Sequence, residues 1–234
     1  MKSYIIRIKD HKESELCAEQ CLKSSRTVGN EFETLLFDAV TPETLDQELL
    51  KHQVHWNYPW DKPELDINSG LIKSPYTTAY PTKRVACFMS HYKLWKECAS
   101  GDQTFLIQEH DSWWIKKLSL DEFNTLSYNI IGINHPQGAT RRWQMYHQGI
   151  QESIDTRPVV PVPMVDEYQV PQGLAGNSAY IIKPEGAKKL LELTKTFGAW
   201  PNDALMCRQL LRGKLGVSKT YYTTIQKQHS TTTL

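Results

Sequence analysis

Three ionisable residues in a row, Glu109, His110 and Asp111, directly follow an apolar stretch at residues 104–108 that predicts a buried strand. If the backbone stays extended, the side chains at positions 109 and 111 project to one face, so both carboxylates can reach one ligand. Carboxylates repel phosphate groups, but they bind a divalent cation that can bridge the phosphates of a nucleoside diphosphate. The same pattern also fits a solvated loop end, so the tripeptide alone does not decide between the two.

The elements that must position these residues alternate along the chain. Strands are predicted at residues 4–8, 32–37, 104–108, 128–133, 178–182 and 217–223, and helices at residues 13–25, 45–52, 84–100, 184–197 and 202–211. The long segments 53–82 and 134–176 carry few periodic signals and are predicted as loops. The alternation predicts an α/β fold with a mostly parallel central sheet and helices on both faces. Ligands bind outside the carboxyl ends of the strands in such sheets, which is where the tripeptide lies.

Length and composition limit the function classes. The 234 residues fit a single domain over positions 1–234. The 27 Lys and Arg residues nearly balance the 26 Asp and Glu residues, which argues against nucleic acid or an anionic membrane surface as the main partner. The apolar stretch near the start is too short for a signal peptide or a membrane span, and five cysteines, an odd number, favour a reducing compartment. We therefore expect a cytoplasmic protein with no integral membrane segment.

Residues 84–111, RVACFMSHYKLWKECASGDQTFLIQEHD, resemble the central signature of glycosyltransferase family 25, the lipopolysaccharide and collagen galactosyltransferase group. The matching residues are Cys87, Ser90, His91 and Trp95 in the helix and Glu109 and Asp111 after the strand. His110 stands where the family has a middle carboxylate, which bears on metal affinity and metal identity. The segments 177–191 and 201–203 are also similar to family motifs, whereas 53–82 and 134–176 have no clear counterpart.

The resemblance implies a GT-A-like fold and an enzyme that transfers a hexose such as galactose from a UDP-sugar, with a role in lipopolysaccharide biosynthesis. The acceptor would be a hydroxyl of a glycan or a protein-linked sugar, and the reaction would invert the anomeric centre. A manganese ion, or magnesium in its place, usually assists. In this frame Asp111 ligates the metal, and Glu109 takes a ribose hydroxyl or a metal-bound water. His229 in the polar tail completes the metal shell, unless it is simply an exposed tail residue.

Five further residues are candidates for binding the donor, each with a plainer alternative. Lys83 and Arg84 at the start of a helix can pair with phosphate oxygens, or form a solvated basic pair. Ser90 and His91 lie beside the diphosphate, or serve as a packing hydroxyl and a core histidine that holds a backbone carbonyl. The backbone of Ile8, at the end of the first strand, meets the uracil, or Ile8 is only a core residue.

Asp203 is the candidate base that takes the proton of the acceptor hydroxyl. It shares a predicted helix face with Met206 and Cys207, so it is expected to point inward, although an acid in a first helical turn is also favoured by the helix dipole. Asn177 can bond a sugar hydroxyl or cap a turn. Gly173 is expected to permit close backbone approach to the donor sugar or an unusual turn dihedral.

Gly176, like Gly173, is expected to permit close backbone approach to the donor sugar or an unusual turn dihedral. Either Trp113 or Trp114 is expected in the core, with the other free to stack on a sugar. The segment around Arg141 and Arg142 suits a lid over the substrates, or is an ordinary exposed loop.

Two other functions compete with sugar transfer. The first is a related domain that binds a nucleotide or sugar but has lost catalysis, with His110 as the visible change. The second is nucleotidyl transfer to a sugar phosphate, which needs a glycine-rich basic loop after the first strand; residues 8–12 contain no glycine.

Overall fold

A computed structural model describes residues 1–119, 123 and 127–226. Its strands are β1 (Lys2–Arg7), β2 (Thr34–Asp38), β3 (Glu64–Asp66), β4 (Leu71–Lys73), β5 (Phe105–Glu109), β6 (Ser112–Trp114), β7 (Ile130–Gly132), β8 (Val159–Pro161), β9 (Ala179–Ile182), β10 (Leu215–Ser218) and β11 (Thr223–Ile225). Its helices are α1 (Lys12–Thr27), α2 (Leu45–His52), α3 (Pro81–Ser100), α4 (Trp143–Gln151), α5 (Pro184–Phe197), α6 (Asn202–Leu205) and α7 (Arg208–Leu211).

Seven strands form the central sheet, in the order β2-β1-β5-β9-β7-β10-β8. Strand β1 runs parallel to β2 and β5, and β7 runs parallel to β10. Strand β9 lies antiparallel between β5 and β7, and β8 is antiparallel to β10. The predicted α/β fold is confirmed, and its sheet is mixed because the chain returns into β9 at the same edge where β5 ends. The long segment between β7 and β9 therefore begins and ends at the carboxyl edge of β5.

Helices cover both faces of the sheet, as predicted. Tyr4 and Ile6 of β1 belong to the larger apolar cluster, which also contains the buried residues of α3 and α5. Ile5, the intervening residue, belongs to the second cluster with Cys21 of α1. This alternation follows from the two-residue period of a strand. Burying each such large apolar side chain stabilises the fold by about 1.5–3 kcal/mol, so both helix layers hold β1 and β5 in place.

Four segments depart from the predicted elements; one is the predicted strand 217–223, which is divided between β10 in the central sheet and β11 beside β6. The predicted loop 53–82 contains the β3–β4 hairpin, and the predicted loop 134–176 contains α4 and β8. The predicted helix 202–211 is divided into α6 and α7, because the backbone of Cys207 between them is extended, with φ −111° and ψ 156°. These elements are three to nine residues long; β3 and β4 pair only with each other in the hairpin, whereas β8 is held by pairing to the distant strand β10. A local hydrophobic period does not reveal pairing of that kind.

Within the described ranges, no helix is long and apolar enough to cross a membrane. The five cysteines are all free thiols, and four of them are buried. Buried thiols pack as small apolar groups, so these four contribute to the core. Only Cys87 is partly accessible, and it lies on α3 close to the carboxyl end of β5.

Candidate active site at the carboxyl edge of the sheet

Strand β5 ends at Glu109, and the chain then turns at His110 and Asp111 before β6. The expected extended backbone is therefore wrong, although the two carboxylates still interact, because the charge of Glu109 acts on Asp111. The turn is held by Gln226, whose backbone N–H donates to the Asp111 carbonyl at 2.7 Å. Its side-chain amide also donates to the His110 carbonyl at 3.2 Å. A residue far along the chain thus fixes the acidic tripeptide.

Asp111 and Glu109 have opposite pKa shifts. Burial, and then the charge of Glu109, raises the pKa of Asp111 to about 7. Burial would also raise the pKa of Glu109, but the hydrogen bond and charge of His91, with the charges of His110 and Arg84, lower it overall. The Oδ1 atom of Asp111 is buried and has no hydrogen-bond partner in the described part of the chain. A divalent cation suits such a pair, because it would both satisfy this oxygen and favour the ionised form of each acid.

His91 is 1% exposed and both of its ring nitrogens have partners. Its Nε2 lies 3.3 Å from Glu109 Oε1, and its Nδ1 lies 2.9 Å from the Tyr180 hydroxyl oxygen. That hydroxyl accepts a 2.8 Å hydrogen bond from the indole N–H of Trp95. His91 therefore holds no backbone carbonyl; it belongs to a buried chain of hydrogen bonds that fixes the carboxylate of Glu109.

Arg84 brings a positive charge to this edge. Its guanidinium lies over the Tyr76 ring, 4.1 Å from the centroid, and its Nε is buried with no partner among the residues that the structure describes. The same charge acts to lower the pKa values of Glu109 and Asp203. Lys83 lies next to it, with its Nζ 4.2 Å from the centroid of the Tyr80 ring. Arg84 is thus a cation within an otherwise acidic site.

Asp203 lines a cleft of about 510 Å³ together with Tyr58, Tyr76 and Arg141. Its surface is exposed to this cleft, although the surrounding protein still desolvates its carboxyl group. Burial raises the pKa of Asp203, and the nearby charge of Arg84 opposes that shift. The predicted inward helix face is wrong: Met206 and Cys207 are fully buried, whereas Asp203 is exposed. The division of the predicted helix into α6 and α7 explains the difference, since the residues no longer share one helical face.

Gly173 makes a close approach to the backbone of Asp203. A Cβ atom at this position would lie 1.6 Å from the carbonyl oxygen of Asp203. Gly176 has φ +77°, the unusual turn dihedral that the sequence suggested. Gly173 therefore allows the segment before β9 to pack directly against the residue proposed as the base.

Asn177 lies just before β9, at the edge where β5 ends. The backbone carbonyl of the next residue, Ser178, accepts a 2.8 Å hydrogen bond from the N–H of Glu109. The side-chain Oδ1 of Asn177 is buried without a hydrogen-bond partner in the described ranges. It does not cap the turn through that oxygen, so the oxygen is available to a ligand donor.

Ser90 has the contacts of a packing hydroxyl, the second of its two expected roles. It is 1% exposed; its hydroxyl donates to the Ala86 carbonyl and accepts from the N–H of Val40, both at 2.9 Å. These contacts use the hydroxyl to pack α3 against the loop after β2. We therefore do not assign Ser90 to the donor site.

Ile8 follows β1 at the correct edge of the sheet. Its N–H donates to the Ser14 hydroxyl at 2.8 Å, and its carbonyl accepts from the N–H of His11 at 3.3 Å. The N–H is thus occupied, and only the carbonyl has a lone pair left for a ligand. His229 lies outside the described residues.

Two surface predictions have mixed outcomes. Trp114 is 2% exposed and in the core, while Trp113 is 39% exposed, in agreement with one core and one accessible indole. Arg141 and Arg142 line the same cleft as Asp203. Arg142 is held by a 3.0 Å ion pair to Asp166, which lines the same cleft. The lid remains a prediction.

Several groups at the site have no role in the sequence-based prediction. Tyr180 appeared there only as part of a strand, Cys87 only as a motif match, and Tyr58 and Tyr76 only as aromatic residues of a long loop. Burial, and then the charge of Glu109, raises the pKa of Cys87, so its thiol is protonated in the unliganded protein. The aromatic content of segment 53–82 was the available signal, because long loops in compact domains are often functional.

A larger cavity, of about 630 Å³, lies at the opposite edge of the sheet, where Asn129, Gly186 and Lys214 precede or begin their elements. It is not the site we assign. The cleft at Asp203 is smaller, but it combines Arg141 and Arg142 with Asp203, whose pKa is raised, and groups with shifted pKa values concentrate at functional sites. Buried polar atoms without partners, on Arg84, Asp111 and Asn177, lie at the same edge.

The fold and site define an α/β protein with a polar ligand cleft at the carboxyl ends of its strands. Residues 1–206 match the family model described as glycosyltransferase family 25 (LPS biosynthesis protein). The chain therefore belongs to glycosyltransferase family 25. A sequence comparison with curated proteins finds no match.

Comparison of structures finds similar chains with low sequence identity. The galactosyltransferase LgtC in complex with donor and acceptor sugar analogs is 12% identical, with 93% of this chain and 73% of that chain covered at a TM-score of 0.47. Mouse xyloside xylosyltransferase 1 is 11% identical, with 92% and 84% covered at a TM-score of 0.49. The glycosyltransferase GlyE from Streptococcus pneumoniae is 10% identical, with 92% and 45% covered at a TM-score of 0.42.

Proposed function

We propose that this protein transfers a hexose from a UDP-sugar to a hydroxyl of a glycan or glycoconjugate acceptor, with inversion at the anomeric carbon and with the help of a divalent cation. Membership in glycosyltransferase family 25 supports the reaction class. One observation carries the assignment to this site: Arg84, Asp111 and Asn177 each hold a buried polar atom without a partner in the described chain, all at one edge of the sheet. Buried polar groups in folded proteins nearly always have partners, so three of them at one edge of the sheet support a ligand site there.

The donor lies across the carboxyl ends of β1 and β5 in this proposal. Arg84 pairs with the diphosphate through charge-assisted hydrogen bonds, and Lys83 adds a second positive charge at the start of α3. The carbonyl of Ile8 faces the base, and Asn177 accepts a hydrogen bond from a sugar hydroxyl. His91 acts indirectly, because it orients Glu109 toward a ribose hydroxyl.

The acidic pair fits a hard divalent cation such as manganese or magnesium. Asp111 offers a buried carboxylate oxygen with no partner among the described residues, and both ions prefer oxygen ligands. Asp111 would bind the ion, with His229 as a further ligand that the family resemblance suggests. When bound, the cation would offset the charge that develops on the departing diphosphate.

Asp203 acts as the general base. The acceptor oxygen forms a bond to the anomeric carbon while the bond from that carbon to the UDP oxygen breaks, and the hydroxyl proton passes to the Asp203 carboxylate. The pKa of Asp203 is raised by burial, and a carboxylate with a raised pKa is a stronger base at neutral pH. The aromatic side chains of Tyr58 and Tyr76, which line the same cleft, offer surfaces for the acceptor sugar.

A substitution at Asp203 tests this assignment. Asp203→Asn should lower the rate of UDP release by about 10²–10⁴-fold while UDP binding is preserved, because the amide cannot take the proton. The assay measures UDP release with manganese and a panel of UDP-sugars, and calorimetry measures UDP binding. Asp102→Asn, in an exposed turn after α3, is the matched control and should retain the wild-type rate. Unchanged turnover in Asp203→Asn would remove this residue from the mechanism.

A domain that binds a nucleotide or sugar without catalysis is the second candidate. His110, in place of the family's middle carboxylate, favours it, because burial lowers the pKa of His110 and so favours a neutral ring where the family has a negative charge. The same assay distinguishes the two functions. UDP binding without turnover by the wild-type protein, on every donor of the panel, would support the binding domain.

A further inference from the structure

Cys87, His91 and Glu109 form a compact cluster at the edge of the cleft. One ligand atom from each, a sulfur, a ring nitrogen and a carboxylate oxygen, lies within 4.8 Å of the other two. Cys87 and His91 are four residues apart on α3, so they project from the same helix face, and Glu109 reaches them from the end of β5. Two rigid elements thus present three different donor atoms to one point.

We propose that Cys87, His91 and Glu109 bind a thiophilic divalent ion such as zinc. Zinc accepts sulfur, nitrogen and oxygen ligands together in a tetrahedral arrangement, and three protein ligands leave one position open for water or substrate. Manganese and magnesium prefer oxygen ligands, whereas thiolate selects zinc, so this site differs in chemistry from the carboxylate oxygen that Asp111 offers. The site is additional to the ion that Asp111 would hold in the proposed transfer reaction.

The contacts around His91 resemble those of metal-binding histidines. Such a histidine usually has its second ring nitrogen fixed by another polar group. Here Nδ1 of His91 lies 2.9 Å from the Tyr180 hydroxyl, and the two rings stack with centroids 5.7 Å apart. The Tyr180 oxygen can accept the Nδ1 hydrogen bond, so Nε2 can carry the lone pair, and an ion bound between Nε2 and the Glu109 carboxylate would replace their 3.3 Å contact. Trp95 holds the tyrosine oxygen in turn, so the ring needs little reorganisation.

Charge balance also favours a divalent ion at this position. The sulfur binds as thiolate, and its proton is released to solvent, so Cys87 and Glu109 together supply two negative charges. Those charges neutralise a divalent cation in a partly buried setting, where an unbalanced charge is costly. His91, which binds as the neutral imidazole, adds none.

Titration of the full-length protein with cobalt, in the absence of any donor or acceptor, tests the proposal. Cobalt replaces zinc in such sites, and a cobalt–thiolate bond has an ultraviolet charge-transfer band. The wild-type protein should show this band, and zinc should displace it. Cys87→Ser should abolish the band and weaken cobalt binding by more than about 10-fold, the lower end of the loss for outer-shell partners.

Cys98→Ser is the matched control. Cys98 lies on the same helix, and its thiol lies 3.6 Å from the backbone carbonyl oxygens of Gln103 and Ile182, to which a serine hydroxyl can also donate. This variant should keep the band and the affinity. Zinc should also raise the melting temperature of wild type and Cys98→Ser but not that of Cys87→Ser, which shows in addition that each variant folds.

Absence of the band from the wild-type protein would overturn the proposal, as would a band that survives in Cys87→Ser. The measurement needs no sugar transfer, so its outcome is independent of the proposed enzymatic function. A protein that transfers sugar but shows no cobalt–thiolate band would lose only this ion site.

Discussion

Replacing Gly173 by alanine should impair catalysis by displacing Asp203. An added Cβ atom would lie 1.6 Å from the Asp203 carbonyl oxygen and 3.1 Å from that of Met206. The φ of Gly173 lies outside the left-handed region, so alanine can adopt the backbone conformation, and the effect is steric. Both partners are backbone atoms, which cannot rotate away as a flexible side-chain end can.

The size of the effect follows from this clash. Cβ atoms essentially never lie closer than 3.0 Å to such an atom, so the two segments must separate by more than about 1 Å. A misplacement of about 1 Å in a catalytic group typically costs on the order of 100-fold in rate. Overpacking of this kind also costs about 1–3 kcal/mol of folding free energy, which corresponds to a loss of roughly 2–12 °C in melting temperature.

UDP release, UDP binding and thermal unfolding of Gly173→Ala together separate these effects. We expect a fall of about 100-fold in kcat, with UDP affinity nearly unchanged, because the diphosphate contacts lie on α3 and β5. Gly101→Ala is the control: its backbone has φ −114° and its nearest neighbour would be 4.0 Å from the added Cβ. Wild-type kcat in Gly173→Ala, with the protein folded, would refute the positioning of Asp203 by this packing.

Two further predictions concern the acidic pair. Because the pKa of Asp111 rises from 3.8 to about 7 on folding, the metal-free protein should lose stability as pH rises through that window. Asp111→Asn should remove this loss of stability. Melting temperatures of both proteins in EDTA at pH 5 and pH 8 measure the effect. An equal pH dependence in the wild-type protein and the variant would contradict the prediction. Tyr180→Phe removes the hydroxyl beside His91, so kcat should fall with a shifted pH profile, while a profile that keeps its wild-type shape would indicate a merely structural role for Tyr180.

The strongly periodic elements were predictable from the sequence. Residues 84–100 and 184–197 have apolar residues every three or four positions, and both are helices in the structure, α3 and α5. The strand before Glu109 was predicted within one residue, because a short apolar run bounded by a turn and by charges is typical of a central strand. Short elements such as α4, β3 and β8 were not predicted, because they are too short to show a clear hydrophobic period, and β8 depends in addition on pairing with the distant strand β10.

The direction of β9 was also beyond the sequence. The apolar run at residues 178–182 predicts a strand, but a hydrophobic pattern does not indicate whether that strand lies parallel or antiparallel to its neighbours. The structure places β9 antiparallel beside β5, which brings Asn177 to the edge where Glu109 lies. Donor candidates that are 68 residues apart in the chain thereby meet.

What the sequence determined by itself is the class of the protein: the order of elements, the acidic tripeptide after a buried strand, and the motifs of glycosyltransferase family 25 all depend on residues close together in the chain. Only the tertiary structure decided which polar groups share a site. His91, Tyr180 and Glu109 come from three separate elements, and Asp203 faces the cleft only because its predicted helix is broken. Local periodicity encodes burial and secondary structure, whereas catalytic geometry depends on long-range packing, and a single sequence does not display that packing.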